Sequence, residues 1–241
     1  MFDIMWTLVT GASKGLGAAL CIALAQKGHN IVVHYHSRAQ LAQEVVAQCR
    51  SYGVQANALC GDFSSAQGVT DFAAHYLNQF PQTNVLINNI GVYLTHPATN
   101  TTIEQWQSLM QLNLTTPFIL STYFAQCLKE KNGQIVNIGV SGLHRQVAQS
   151  YAAIYFLTKQ SLWHLTLSLA REWAHEGVRV NMVSPGQLDI STDLPNDISV
   201  LPMQRAATCA EICRAVLFLV DPHSAYITGQ NIEVAGGLGL K

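Results

Sequence analysis

Tyr155 and Lys159 stand four positions apart in an apolar stretch of helical periodicity, so both side chains leave one helix face. That spacing has a chemical use. A phenol with a free pKa of about 10 is a poor acid or base at neutral pH, and an ammonium one turn away favours the phenolate and lowers that value. The pair would pass a proton to or from a substrate oxygen. On its own the pattern equally describes a tyrosine and a snorkelling lysine on a half-exposed face, with Tyr151 as a competing neighbour.

A second group of residues could hold an anion. Thr10-Gly11-Ala12-Ser13-Lys14-Gly15-Leu16-Gly17 follows the apolar run 6–9 and opens a helical pattern over 18–26. A strand, a glycine turn and a helix in that order make a phosphate site: glycines admit the anion close to the backbone, and the helix N-terminus offers free N–H donors. The spacing Gly-x-x-x-Gly-x-Gly is neither the Gly-x-Gly-x-x-Gly fingerprint nor a P-loop, and Lys14 lies inside the turn. Alone it also suits an ordinary glycine turn capped by Ser13.

The elements that must position these residues alternate regularly. Gly28 ends the first helix, and 31–35 is a β-branched buried strand. Helix 39–52, strand 55–60, helix 66–79 and strand 85–88 follow, then helices 102–112 and 116–130 separated by Asn113 and Pro117. Strand 134–138, a loop carrying Ser141, a long helix 151–175, strand 178–183, helix 208–220 and strand 231–234 complete the order. Alternation of this kind predicts an α/β fold, a parallel sheet with helices on both faces. The stripe Leu162, Leu165, Leu169 and Trp173 marks the buried side of the long helix. Residues 187–204 lack periodicity, carry Asp189, Asp193 and Asp197 with no lysine or arginine before Arg205, and are expected to form a substrate lid.

Two βα units beginning within about 30 residues of each other suit a dinucleotide fold. An NAD site would place a carboxylate at the end of the second strand to hold the ribose 2′-hydroxyl. His34-Tyr35-His36-Ser37-Arg38 offers none. Arg38 and Lys14 could instead pair with a 2′-phosphate, so NADP(H) is expected in preference to NAD(H). The alternative for Arg38 is a solvated residue at a helix start.

The 241 residues are 49% hydrophobic and 11% charged, enough for one core and too few to require a second domain. A net charge of -1 without a basic run argues against nucleic acid or anionic membrane and for a small partner. Six cysteines lack Cys-x-x-Cys spacing and are read as buried free thiols of a reducing compartment. Cys209 and Cys213, one turn apart, are read as packing rather than metal ligands, so no metal is expected. Residues 1–5 carry no basic stretch, and no apolar run approaches a membrane span; a cytoplasmic protein is the expectation.

Taken together these motifs make the chain similar to the short-chain dehydrogenase/reductase family from about residue 4 to 240. The matching pieces are the turn Thr10 to Gly17, Asp62, Asn88-Asn89-Ile90-Gly91 in place of Asn-Asn-Ala-Gly, Asn113, Ser141, Tyr155, Lys159, Asn181, Pro185-Gly186 and Tyr226-Ile227-Thr228-Gly229-Gln230. The resemblance implies a Rossmann-type, doubly wound single domain spanning 1–241. It implies that Ser141 binds the substrate oxygen, Tyr155 transfers the proton, Lys159 holds the nicotinamide ribose and tunes the tyrosine, and Asn113 supports a water relay. Cofactor contacts are expected at Gly11, Ser13, Lys14, Gly15, Leu16, Gly17, Tyr35, Arg38, Asp62, Phe63, Asn89, Gly91, Tyr155, Lys159, Pro185 and Gly186. The interval from Ser141 to Tyr155 is about one residue longer than usual in the family, so Val140 competes for the serine position.

An NADP-dependent oxidoreductase acting on a carbonyl or alcohol, a 3-oxoacyl group or a small ketone, is the expected function. Carrier-protein recognition gains no support from Glu176 and Glu130 near the relevant helix ends. Pteridine reductases are an alternative, since Pro185-Gly186-Gln187-Leu188 leading into Asp193-Leu194-Pro195 is similar to theirs, although they commonly place an aspartate where this chain has Ser141 or Val140. A non-catalytic NADP-sensing regulator is the rival of another class. The resemblance further implies a homo-oligomer, dimer or tetramer, paired through helices near 102–130 and 151–175.

Overall fold

A computed structural model describes residues 5–145, 148 and 150–240. The amino-terminal reading of residues 1–4 lies outside them. Seven strands, β1 (Trp6–Val9), β2 (Asn30–Tyr35), β3 (Ala56–Cys60), β4 (Val85–Asn88), β5 (Gln134–Ile138), β6 (Arg179–Pro185) and β7 (Asn231–Val234), form one sheet in the order β3-β2-β1-β4-β5-β6-β7. Every pairing is parallel, with Val9 level with Val33 on one side and Ile87 on the other.

Parallel strands need both faces covered, and the sequence alternation supplies two cores. Val9, Val33, Ile87, Val136 and Val183 face one layer, packed by α1 (Gly15–Ala25), α2 (Ala39–Arg50) and α7 (Cys209–Val220). Leu8, Val32, Leu86, Ile135 and Val180 face the other, under α3 (Ala66–Gln79), α5 (Thr116–Glu130) and α6 (Ala153–Trp173). Strand order reverses between β1 and β4. In open α/β sheets a ligand crevice lies at such a reversal, outside the carboxyl ends of the strands.

The helix pair expected to break at Asn113 does not break. α4 (Ile103–Met110), started by a Thr102–Gln105 capping box, runs into a π-helical turn, Gln111–Thr115, and on into α5. Pro117 lacks the amide hydrogen that an α-helix would aim at the carbonyl of Asn113, so the chain inserts a wider turn instead of stopping. The first helix starts at Gly15, three residues before the expected position, because the glycines belong to its first turn.

The cysteine reading holds for Cys21, Cys49, Cys127 and Cys213 and fails for two: Cys60 is exposed at the end of an edge strand and Cys209 is half-buried at a helix start. Among the described residues no cluster of three or more histidine, cysteine, aspartate or glutamate side chains could hold a metal. No described helix is long and apolar enough to cross a membrane.

Candidate functional site

The glycine turn after β1 is shaped by its missing side chains. Gly11 and Gly15 adopt φ of +61° and +57°, which side chains rarely tolerate. A Cβ on Gly17 would lie 2.6 Å from the Gly11 carbonyl oxygen and 2.7 Å from Asn89 Nδ2, so α1 can close on the turn only with glycine there. Lys14 is the residue preceding the helix, and no side chain caps it; Ser13 does not act as the cap. The free N-terminal amides are left to an external anion, which is the condition a pyrophosphate site needs.

Asn89, just past β4, ties the turn to the neighbouring strand. Its Nδ2 donates to the Thr10 carbonyl at 2.8 Å, and Thr10 Oγ1 accepts from the Asn89 and Ile90 amides at 3.0 Å each. Lys14 and Arg38 are both exposed, at the starts of the helices that follow the paired strands β1 and β2. Asp62 is exposed at the end of β3 with the imidazole of His36 3.7 Å away. The Phe63 ring is buried and stacks on His34 at 4.0 Å, so a cofactor contact at this residue would come from its main chain.

Beyond β4, β5 and β6 opens a cavity of about 470 Å³. Its walls include Leu16, Asn89, Gly91, Tyr93, Val140, Ser141, Tyr155, Lys159, Pro185, Gly186, Ile190 and Asp193. The structure thus brings together the predicted Ser141, Tyr155 and Lys159 with Leu16, Asn89, Gly91, Pro185 and Gly186, which the sequence expects to contact a cofactor. Both Val140 and Ser141 reach it. Tyr35, Arg38, Asp62 and the rest of the glycine turn lie at or just past the carboxyl ends of β1, β2 and β3, outside this cavity.

Asn113, on the π-helical turn, is fully buried behind Gly91 and does not itself line the cavity. Its Oδ1 accepts from the Val92 amide at 2.8 Å, and its Nδ2 donates to the Val92 carbonyl and to Thr158 Oγ1 at 3.0 Å each. One side chain therefore fixes the segment after β4 against α6. Asn181 works likewise at the far side, donating to the Ile227 carbonyl and accepting from the Gln230 amide, which explains why the 226–230 motif sits where it does.

The electrostatics depart from the sequence expectation. Lys159 is buried, and burial lowers its pKa to about 8. Its ammonium donates to the Ile138 carbonyl at the end of β5, 2.8 Å away, and stands 5.8 Å from the centroid of the Tyr155 ring. Burial, with a smaller contribution from the Asp193 carboxylate, raises the Tyr155 hydroxyl above its ordinary value instead of lowering it. Desolvation by burial is the larger of the two causes, and both favour the protonated phenol.

Two residues of the site escaped sequence reasoning. Tyr93 packs edge-on against Tyr155, ring centroids 4.8 Å apart, and its hydroxyl donates to Asp193 Oδ2 at 2.5 Å. The clue was its place two residues after Gly91. Ile190 comes within 3.4 Å of where a Cβ on Gly15 would stand, so the 187–204 segment covers the glycine turn as well as the cavity.

A doubly wound parallel sheet with a glycine turn at its first helix, an Asn-Asn segment after β4 and a Tyr-x-x-x-Lys helix at the cavity defines a nucleotide-fold oxidoreductase class. Residues 11–239 match the profile of a family described as enoyl-(acyl carrier protein) reductase. The chain belongs to the short-chain dehydrogenase/reductase family. It is 35% identical over 240 residues to a 3-oxoacyl-[acyl-carrier-protein] reductase of Synechocystis sp., covering 96% of this chain and 95% of the relative. Among solved structures it is similar to a blue fluorescent protein from a metagenomic library in complex with NADPH (27% identity, TM-score 0.90, 98% of each chain). It is also similar to a short-chain dehydrogenase of Burkholderia cenocepacia in complex with NADP (25% identity, TM-score 0.86, 96% of each chain).

Proposed function

We propose that this protein is an NADP(H)-dependent oxidoreductase that reduces a carbonyl to an alcohol, with Tyr155 as the proton donor. The observation that carries the reading is Tyr155 and Ser141 facing one cavity that reaches Leu16 at the start of α1 and Lys159 on its wall. The glycine cradle fits a pyrophosphate, because a Cβ at Gly17 would fill it. Lys14 and Arg38, both exposed, would hold a 2′-phosphate. The NADPH and NADP complexes of similar structures support that choice.

When bound, the nicotinamide supplies or accepts the hydride. The protein's own part is to orient the carbonyl and to deliver a proton. Ser141, or the main chain beside it, would hold the carbonyl oxygen, and the Tyr155 O–H would give its proton to the oxygen as negative charge develops there. Burial keeps that proton on the phenol until it is needed. Lys159 would hold the ribose and, by its charge, ease the departure of the proton. Asn113, through Val92 and Thr158, holds both cavity walls in place.

3-Oxoacyl thioesters and other neutral ketones are the favoured substrates, supported by the similarity to 3-oxoacyl-[acyl-carrier-protein] reductase. A pteridine substrate is favoured by a different feature. The Asp193 carboxylate enters the cavity beside Tyr155 and could accept hydrogen bonds from an amino-heterocycle. NADPH oxidation measured against an acetoacetyl thioester, simple ketones and dihydropterins decides between them. No turnover with any of them, despite NADPH binding, would favour the sensing role over the enzyme.

A further inference from the structure

His34 is the one ionisable side chain in β2 that is wholly buried, and it lies behind the cofactor turn, not in the cavity. A buried imidazole must be explained by its partners. The Gly11 amide donates to Nδ1 at 3.0 Å, and Nε2 lies 3.1 Å from the Gly61 carbonyl oxygen. A backbone N–H can only donate and a carbonyl can only accept. The tautomer is thereby fixed: Nδ1 is the acceptor and Nε2 carries the hydrogen it donates to Gly61.

We propose that His34 is a positioning residue for the cofactor, a neutral imidazole crosspiece that sets the left-handed Gly11 and joins the ends of β1 and β3 through β2. The Ala12 amide bonds to the His34 carbonyl at 2.8 Å, so main chain and side chain of one residue hold consecutive amides of the turn. The ring lies flat on Phe63, 5° from parallel, and edge-on to Phe72 at 5.0 Å. A Cβ on Gly61 would come within 3.1 Å of Nε2 and 2.6 Å of Phe72, so that glycine admits the ring. Phe63 follows Asp62, which the family resemblance assigns to the adenine. One ring thus supports both the pyrophosphate side and the adenine side of the groove without touching the ligand.

The inference rests on the proposed function only for the identity of the ligand. Three variants separate the two arms of the crosspiece. His34→Asn keeps an acceptor near Nδ1, His34→Gln keeps a donor near Nε2, and His34→Phe keeps the stacking and loses both. Leaving the part-buried Gly11 amide without its partner corresponds to roughly a thirtyfold rise in the NADPH dissociation constant for His34→Phe. His34→Gln should resemble it, and His34→Asn should stay within about threefold of the wild type on the same reasoning. The Michaelis constant for NADPH should rise far more than kcat falls, and amide hydrogen exchange at Gly11 should speed up in the Phe and Gln variants only. Gly11 exchange that is equally slow in the wild type and His34→Phe would overturn the proposal even if the wild type bound no NADPH. So would equal NADPH affinity across all four proteins, or His34→Asn as weak as His34→Phe.

Discussion

The hydroxyl of Tyr93, from the segment after β4, donates to the carboxylate of Asp193, from the segment after β6, at 2.5 Å across the cavity that Tyr155 lines. The contact joins the segments after β4 and β6 and places a carboxylate near the Tyr155 phenol. Asp193 contributes to the upward shift of both tyrosine hydroxyls, after burial in each case.

Asp193→Asn removes that charge and should lower the Tyr155 pKa. Alcohol oxidation requires the phenolate, so its rate climbs with pH as the proton leaves; in the variant the climb should begin at lower pH. A pH–rate profile for oxidation in the two proteins reads this directly, and a profile unmoved or displaced to higher pH counts against the placement of Asp193. Tyr93→Phe, which keeps the charge and loses the donor, should not shift the profile downward.

Cofactor choice should depend on the two exposed cations. Replacing Arg38 by Ala should cut the preference for NADPH over NADH by about tenfold, and replacing Lys14 as well by roughly a further tenfold, the scale of charge-assisted phosphate contacts. The ratio of kcat/KM with the two cofactors is the measurement. A double variant with the wild-type ratio would mean that Arg38 is merely a solvated helix residue.

Two buried histidines make the fold acid-sensitive. Burial lowers both His29 and His34 from 6.5 to about 4. Between those values the unfolded chain binds the protons and the folded chain does not, so stability is complete above about pH 6.5 and is lost as pH falls towards 4. The largest loss is about 3 kcal/mol per histidine, from 1.36 kcal/mol per pKa unit. Urea unfolding at pH 7 and pH 5 should show a lower midpoint at pH 5, and the His34→Phe protein should show a smaller drop.

Asn113→Ala should cost about 2–3 kcal/mol, because the Val92 amide and carbonyl and the Thr158 hydroxyl lose a buried partner together. Thermal unfolding measures it. Activity should fall beyond what the lost stability explains, since the segment carrying Tyr93 is released from α6.

Most of the sheet was legible in the sequence because both its faces are covered. Strands such as Val85–Asn88 and Gln134–Ile138 read as short apolar runs with turn residues at their ends. The π-helical turn was not, since Pro117 reads as a break until packing against α6 shows a continuous helix to be the better burial. The Tyr155–Lys159 pair was found by its spacing together with the other family motifs in register, but neither says anything about desolvation, and burial sets the phenol above its ordinary value. Tyr93, Asp193 and His34 act through partners far away in the chain, such as Tyr93 with Asp193 and His34 with Gly61. No local pattern encodes such pairings.

Tyr155→Phe tests the central claim most directly, because it removes one oxygen and leaves the ring in its place. NADPH binding, followed by its fluorescence, should weaken by at most about tenfold, the scale of the single neutral hydrogen bond that a Tyr155 contact with the cofactor would supply. Carbonyl reduction should fall by a factor of 10² or more, the scale of general acid catalysis. Reduction at the wild-type rate in a protein that lacks this hydroxyl would contradict Tyr155 as the proton donor.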